Sequence, residues 1–202
     1  MYNSALFHAL FSYNNDYEKF RYNPDSYINA TDGDNSGNNS NLTVYFRQGR
    51  NNIDLSYRDN SYSLNRFLTA VKELQNSTDS HVTKVLIAGF ASPEGTAELN
   101  ARLGQTRAET TRRYLIENGM LGAGQIELYN GRVNWTGLRK LVAQSNMPYR
   151  EQVLNIIDNT PDSRRQAELM RLGGGEPYRY MLNNLFPELR NATYIKVYYE
   201  NK

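Results

Sequence analysis

Hydrophobic and polar positions repeat with two different periods along the chain, and each change of period marks a new element. Between residues 59 and 75, apolar side chains recur every three or four positions, which predicts an amphipathic helix. The apolar run within 82–88 is nearly continuous and predicts a central strand buried on both faces. A second, longer helix is predicted over 96–118, and we expect Gly119 to end it.

Segments rich in β-branched and aromatic residues predict the remaining strands, at 42–46, 125–129 and 193–199. Helices between strands imply β-α-β units. The pattern therefore predicts an α/β (α+β) fold in which a β-α-β-α-β sheet carries its helices on one face. A helical insertion, at about 133–189, precedes the last strand.

Four helices are predicted within the insertion, at 136–144, 150–158, 162–172 and 178–185, and the Gly173–Gly175 run is expected to stop the third. Their apolar residues are Leu138, Leu141, Val142, Val153, Ile156, Ile157, Leu169, Met181 and Leu185. We consider these too few for a separate core, so the insertion is expected to pack on the sheet domain.

Residues 1–41 differ from the rest of the chain, because they are rich in Tyr and Asn and end in a polar, Gly-containing tract. This composition predicts a junction or linker, partly disordered, with one short helix near Ser4 to Phe11. The remaining residues, 42–202, form the second predicted unit. No secretion signal is evident within this sequence, so an exported protein would be represented here by a mature or trimmed piece.

Composition and charge exclude several classes of function. The chain has no Cys, which excludes a thiol nucleophile and thiolate metal sites. A net charge of +2 is too small to indicate nucleic acid as a partner. Arg makes up 17 of the 23 basic residues, which mildly favours a carboxylate-bearing partner, although scattered surface ion pairs explain most of them better.

The segment from Gly89 to Arg107 holds the candidate binding chemistry. A tight loop, predicted over 89–95, leaves a buried strand and opens a helix, so its free backbone amides and the positive helix end favour an anion. Asn100 and Arg107 lie on one face of that helix, and Arg107 can lean back toward the loop. A guanidinium beside free amides suits a carboxylate.

Six residues of this region have the spacing of a known motif: Gly89, Gly95, Asn100, Leu103, Arg107 and Ala108. With it, the stretch from Leu42 to Asn130 resembles the OmpA-like, peptidoglycan-associating family, in the form seen with a helical insertion in envelope proteins of Bacteroidetes-type bacteria. The resemblance implies a non-catalytic periplasmic module, near the outer membrane, that anchors an envelope protein to the cell wall. Its ligand would be the diaminopimelate of a peptidoglycan stem peptide, and no cofactor is implied.

By this resemblance Arg107 would hold the ligand's carboxylate and Asn100 would support the loop or the ligand. The family's Asp, which holds the ammonium, is replaced here by Ser92, so binding should be weak or altered. Glu94 either lends its carboxylate to the loop or serves the helix dipole. Arg107 in a structural ion pair and Asn100 in a loop-locking hydrogen bond are the structural alternatives. A ligand-less scaffold that contacts another envelope protein is the alternative function.

Catalytic and metal sites are not expected. Ser92 lies on a strand–turn–helix, but its flanking glycines are spaced too widely for a nucleophile elbow, and His81 is at the far end of the strand. The Asp32–Gly37 tract resembles the first half of a calcium loop, but Thr43 stands where a bidentate Glu is required. We therefore predict a binding or structural protein, not an enzyme.

Overall fold

The computed structural model describes residues 11–13, 43–119, 121–189 and 193–202, and its elements follow the predicted order. The strands and the two long helices are β1 (Phe11–Tyr13), β2 (Thr43–Val44), α1 (Asn60–Gln75), β3 (Ser80–Ala91), α2 (Ala97–Gly119) and β4 (Ile126–Val133). The insertion and the last strand follow as α3 (Trp135–Gln144), α4 (Arg150–Asn159), α5 (Asp162–Arg171), α6 (Glu176–Asn184), α7 (Phe186–Leu189) and β5 (Thr193–Asn201). Short 3-10 turns, Ala123–Gln125 and Leu172–Gly175, precede β4 and α6.

The sheet is mixed, with the strand order β1-β5-β3-β4. Strand β3 pairs in parallel with β4 and antiparallel with β5, and β5 also pairs with β1 and with β2. The last strand of the chain therefore lies at the centre of the sheet, next to the buried β3. The predicted α+β fold, with β-α-β-α-β and a helical insertion before the closing strand, is confirmed.

Both long helices pack on the same face of this sheet. Val85 and Ile87, two positions apart on β3, are fully buried and join one hydrophobic cluster with α1 and α2. The α1 members of the cluster are Leu64, Phe67, Leu68, Val71 and Leu74, which are the residues that define its predicted apolar face. None of the helices in the described ranges has the length and apolar composition of a membrane span.

The insertion has a hydrophobic core of its own, and our expectation that it lacks one was wrong. Ten buried side chains form a cluster separate from the one under the sheet: Leu138, Val142, Met147, Val153, Ile157, Leu169, Met181, Leu185, Phe186 and Leu189. The predicted apolar set omitted Met147, Phe186 and Leu189, which complete the cluster from the loop after α3 and from α7. The contact with the sheet domain includes polar groups, since Arg58 donates to both carboxylate oxygens of Glu188 at 2.9 Å.

Several boundaries differ from those predicted. Strand β3 continues to Ala91, so the loop occupies residues 92–96 and not 89–95, while β2 has only two residues. The helix expected at Ser4 to Phe11 lies outside the described residues apart from Phe11, which begins β1. The linker predicted over 1–41 is likewise described only at Phe11–Tyr13, which pair with β5. Gly119 is the last residue of α2 and packs against Leu68.

Candidate ligand-binding site

The loop between β3 and α2 ends in a capped helix start. Gly95 adopts a left-handed backbone conformation, with φ of +78°, that turns the chain into the helix. The Thr96 hydroxyl then accepts a hydrogen bond from the amide of Leu99 at 3.2 Å, as an N-cap does. This cap satisfies one of the first amides of α2, and those of Ala97 and Glu98 have no partner within the helix.

A pair of glycines brings α2 unusually close to β3 just behind this loop. A Cβ atom on Gly89 would lie 2.1 Å from the carbonyl oxygen of Gly104, and one on Gly104 would lie 2.9 Å from the oxygen of Gly89. Only residues without a side chain allow this approach. Arg107 follows one turn after Gly104, so its side chain reaches the end of β3.

Arg107 is buried at this junction, with 1% of its surface exposed. Its Nη1 donates to the carbonyl of Phe90 at 3.0 Å, and its Nε donates to the carbonyl of Arg50 at 3.2 Å. The guanidinium carbon lies 5.3 Å from the centre of the Phe46 ring. Nη2 donates no hydrogen bond within the described residues and retains a small surface toward solvent.

No carboxylate among the described residues forms an ion pair with Arg107, and the pKa of the guanidinium reflects this. Burial lowers that pKa to about 10, and the negative charge of Glu94 opposes the change. The structural ion pair considered as an alternative is therefore not formed. Arg107 is a buried cation whose protein partners are carbonyl oxygens and an aromatic ring.

Asn100 lies on the same face of α2, beneath the Gly95 turn. Its Oδ1 is 3.9 Å from the position that a Cβ atom on Gly95 would take, and the residue is 5% exposed. The backbone amide of Asn100 is used in the helix, where it donates to Thr96. The side-chain amide makes no hydrogen bond within the described part of the chain, so it does not lock the loop.

Ser92 and Glu94 face each other across the turn. Ser92 is buried, and its hydroxyl lies 3.5 Å from Oε2 of Glu94. The same Oε2 accepts a hydrogen bond from the side chain of Gln48 at 3.4 Å. Ser92 itself carries no charge, but the carboxylate of Glu94 lies next to it in the loop.

The structure brings all four predicted site residues, Ser92, Glu94, Asn100 and Arg107, to one end of the sheet. Gln48 and the carbonyl of Arg50 also contribute, and nothing in the sequence indicated them. They come from the segment between β2 and α1, which is distant from the loop in the sequence and meets it only in the folded structure. The described residues hold no cluster of three or more metal-ligating side chains.

A cavity of about 500 Å³ lies elsewhere, in the insertion, where the start of α4 meets the start of α6. Its walls include Met147, Tyr149, Arg150 and Glu176. The cation in this cavity, Arg150, is already paired with Glu151 at 3.0 Å. The cavity is therefore a weaker candidate for a carboxylate ligand than the unpaired Arg107.

Comparison with known proteins identifies the family. The chain is similar to the peptidoglycan-associated lipoprotein from Burkholderia pseudomallei, whose crystal structure is 30% identical over 45% of this chain and 69% of that chain, with a TM-score of 0.36. None of the curated proteins matches the chain. The family model described as OmpA family matches residues 45–151, just over half of the sequence, and includes the whole candidate site. The chain therefore belongs to the OmpA family.

Proposed function

We propose that this protein is a non-covalent peptidoglycan-binding module, which takes the carboxylate of a stem-peptide diaminopimelate at Arg107. Membership of the OmpA family and the likeness to a peptidoglycan-associated lipoprotein support association with peptidoglycan in general. The observation that carries the finer assignment is the buried guanidinium of Arg107, which has no carboxylate partner within the described residues. A buried charge is costly unless it is paired, so such a group is well suited to a ligand.

A carboxylate fits what the site leaves unsatisfied. Nη2 of Arg107 can donate a hydrogen bond to a ligand. The first-turn amides of α2 lie at the positive end of the helix, where they favour an anion. The side-chain amide of Asn100 can donate to the same ligand or accept from it. Each of these contacts is made to an anion or a polar group, and none requires a metal or a cofactor.

Binding through this site should be weaker than with Asp at position 92, since Ser92 brings no charge to the ligand's ammonium. One charge-assisted hydrogen bond is replaced by a neutral one. This replacement costs about 1–2 kcal/mol of binding free energy, or roughly ten-fold in affinity. Modest affinity is compatible with anchoring, because a cell wall presents its stem peptides at a high local concentration.

The assignment is tested by sedimenting the purified protein with isolated sacculi. We expect the wild type to pellet and the Arg107→Met variant to remain in the supernatant. Arg113→Met is the matched control, because Arg113 is an exposed arginine on the same helix and its replacement should leave pelleting unchanged. Pelleting of the Arg107→Met variant at the wild-type level would contradict the proposal.

We further propose that the protein acts without catalysis, in the periplasm, in association with the outer membrane or the cell wall. The candidate site offers a cation, an amide and a carboxylate, and Ser92 faces a carboxylate, not a histidine base. A carboxylate does not remove the serine proton effectively at neutral pH. Incubation with sacculi should therefore release no soluble muropeptides, as judged by chromatography of the supernatant.

A second candidate is a scaffold that has lost the ligand and works through the insertion. It is favoured by the insertion's separate core and by two large side chains on its surface, Tyr149 and Met170, which are 41% and 53% exposed. These two side chains supply apolar surface that a protein partner would cover. If the wild-type protein failed to pellet with sacculi from several species, the scaffold function would replace the peptidoglycan-binding one.

A further inference from the structure

The segments that lead into α4 and α6 form the walls of the cavity in the insertion. Residues 146–152 supply seven of the residues that line it, and Glu176 lines it from the start of α6. Met147 is 5% exposed and belongs to the core of the insertion, so the first segment is anchored to packed structure. The volume of about 500 Å³ lies within the range of small-molecule sites. The proposed function does not use this cavity.

Tyr149 is the aromatic residue of the cavity, and its ring is both supported and exposed. Its φ of +58° lies in the left-handed region, which bulky residues rarely adopt. The ring lies against Gly173, where a Cβ atom would come within 2.9 Å of the ring atoms Cε2 and Cζ. Despite this contact Tyr149 is 41% exposed, and its hydroxyl makes no hydrogen bond within the described part of the chain. The backbone of Gly173 thus supports a ring that remains accessible from the cavity.

Polar side chains line the cavity around this ring and keep their hydrogen-bonding groups open. The side chains of Asn146, Gln152 and Glu176 form no hydrogen bond or ion pair with the described residues. An amide both donates and accepts hydrogen bonds, and a carboxylate accepts them. Arg150 and Glu151 are paired at 3.0 Å, so their charges offset each other. The walls therefore offer many hydrogen bonds and little net charge.

This combination suits a saccharide better than a charged ligand. A pyranose ring has a flat face of C–H groups, which packs on an aromatic ring, and hydroxyls at its edge, which exchange hydrogen bonds with amides and carboxylates. Tyrosine provides such a contact area at a low cost in side-chain entropy. An anion would be repelled by Glu176, and a cation would meet Arg150. A neutral, hydroxyl-rich ligand avoids both penalties.

We infer that the insertion binds a neutral pyranose saccharide in this cavity, with one sugar ring stacked on Tyr149 and its hydroxyls bonded to the amides and carboxylate of the walls. This inference goes beyond the proposed function, since it concerns another part of the chain and needs no stem peptide. The glycan strand of a cell wall and other polysaccharides share this chemistry. If the ligand is the cell-wall glycan, the insertion and Arg107 contact two components of one polymer.

Amide NMR spectra of the full chain, titrated with two oligosaccharides, test the inference. Chitotetraose carries the acetamido groups of cell-wall glycan without any peptide, whereas cellotetraose has the same linkage without those groups. We expect saturable shifts in the amide signals of residues 146–152 and 174–176. Tyr149→Gly removes the ring while its backbone can still adopt the positive φ, so it should weaken binding roughly ten-fold.

Matched variants separate binding from a general effect on the fold. Tyr62→Ala should bind as the wild type, because Tyr62 is an equally exposed type of side chain, 63% exposed, that lies on α1 and outside the cavity. Tyr149→Trp should retain binding, since it replaces one aromatic face with another. Glu176→Gln should weaken binding several-fold, because a hydrogen bond to a carboxylate becomes one to a neutral amide.

The possible results are distinguishable. Binding of chitotetraose alone supports the inference and identifies a glycan with acetamido groups, and binding of both probes supports it for neutral polysaccharides in general. If neither probe binds, or if a folded Tyr149→Gly variant binds with wild-type affinity, the inference is overturned and Tyr149 is left to a protein partner. The proposed function is not affected by that failure, because neither probe contains a stem peptide. In the sacculus assay, excess chitotetraose occupies the insertion and leaves Arg107 as the contact under test.

Discussion

Replacing Arg107 with Met distinguishes a residue kept for a ligand from one kept for the fold. Methionine preserves most of the side-chain length and its contact with Phe46, but it removes the charge and the two hydrogen bonds to the carbonyls of Phe90 and Arg50. The variant therefore changes the electrostatics of a buried position without leaving a large cavity.

The magnitude follows from opposing contributions that nearly cancel. A pKa lowered from its ordinary value to about 10 corresponds to a burial cost of roughly 3 kcal/mol for the charged form at neutral pH. The two hydrogen bonds contribute about 1 kcal/mol each, and the contact with the Phe46 ring about 1 kcal/mol. We expect Arg107→Met to change the free energy of unfolding by less than about 2 kcal/mol, in either direction.

Urea denaturation followed by circular dichroism measures this change, with Arg113→Met as the control. The pH dependence has a definite sign: since the folded-state pKa of Arg107 lies below its ordinary value, the unfolded state binds the proton more tightly. Relative to Arg107→Met, the wild type should gain stability as the pH rises above about 10. Tyr and Lys titrate in both proteins, so their effects largely cancel in the difference.

A loss of about 3–5 kcal/mol in Arg107→Met would refute this reasoning, because that is the cost of breaking a buried charge that the fold depends on. A wild type that loses stability relative to the variant above pH about 10 would refute it as well, since it would mean that burial does not oppose the charge. Either result would assign Arg107 to the fold.

Three further predictions concern the scaffold around the site. Gly89→Ala should cost about 2–3 kcal/mol of unfolding free energy in urea, because its Cβ would collide with the Gly104 carbonyl, whereas Gly124→Ala, where nothing lies within 4 Å of the new atom, should behave as the wild type. Thr96→Ala should cost about 1 kcal/mol in the same assay through loss of the cap, and Thr96→Ser should retain it; equal losses would exclude a capping role. Glu188→Gln should cost at most about 1 kcal/mol, since the pair with Arg58 is exposed, but hydrogen exchange should rise in α7; unchanged exchange would show that this pair does not hold the insertion.

The periodic elements were predictable because their apolar faces are local properties of the sequence. Each buried apolar residue of α1 falls at helical spacing, and the continuous run in β3 reflects its central place in the sheet. The order of strand, loop and helix also places Ser92, Asn100 and Arg107 at one end of the sheet, since the elements that carry them are consecutive. None of these deductions requires knowledge of distant contacts.

The environment of Arg107 could not be predicted in this way, because distant parts of the chain create it. The Phe46 ring and the Arg50 carbonyl come from a segment more than fifty residues earlier and bury the guanidinium. The core of the insertion was missed for a similar reason. Its closing residues, Phe186 and Leu189, lie in a helix of four residues, too short to show a helical period.

The glycine pair links the stability of the fold to the geometry of the site. Gly89 directly precedes Phe90, whose carbonyl accepts from Arg107, and Gly104 precedes Arg107 by one turn. The distance between helix and strand at the glycines therefore determines whether the 3.0 Å hydrogen bond one step further along can form. A methyl group that pushes α2 outward by a fraction of an ångström would lengthen this bond and move the guanidinium relative to Glu94 and Asn100. Binding to sacculi should accordingly fall in Gly89→Ala even at temperatures where the variant is fully folded.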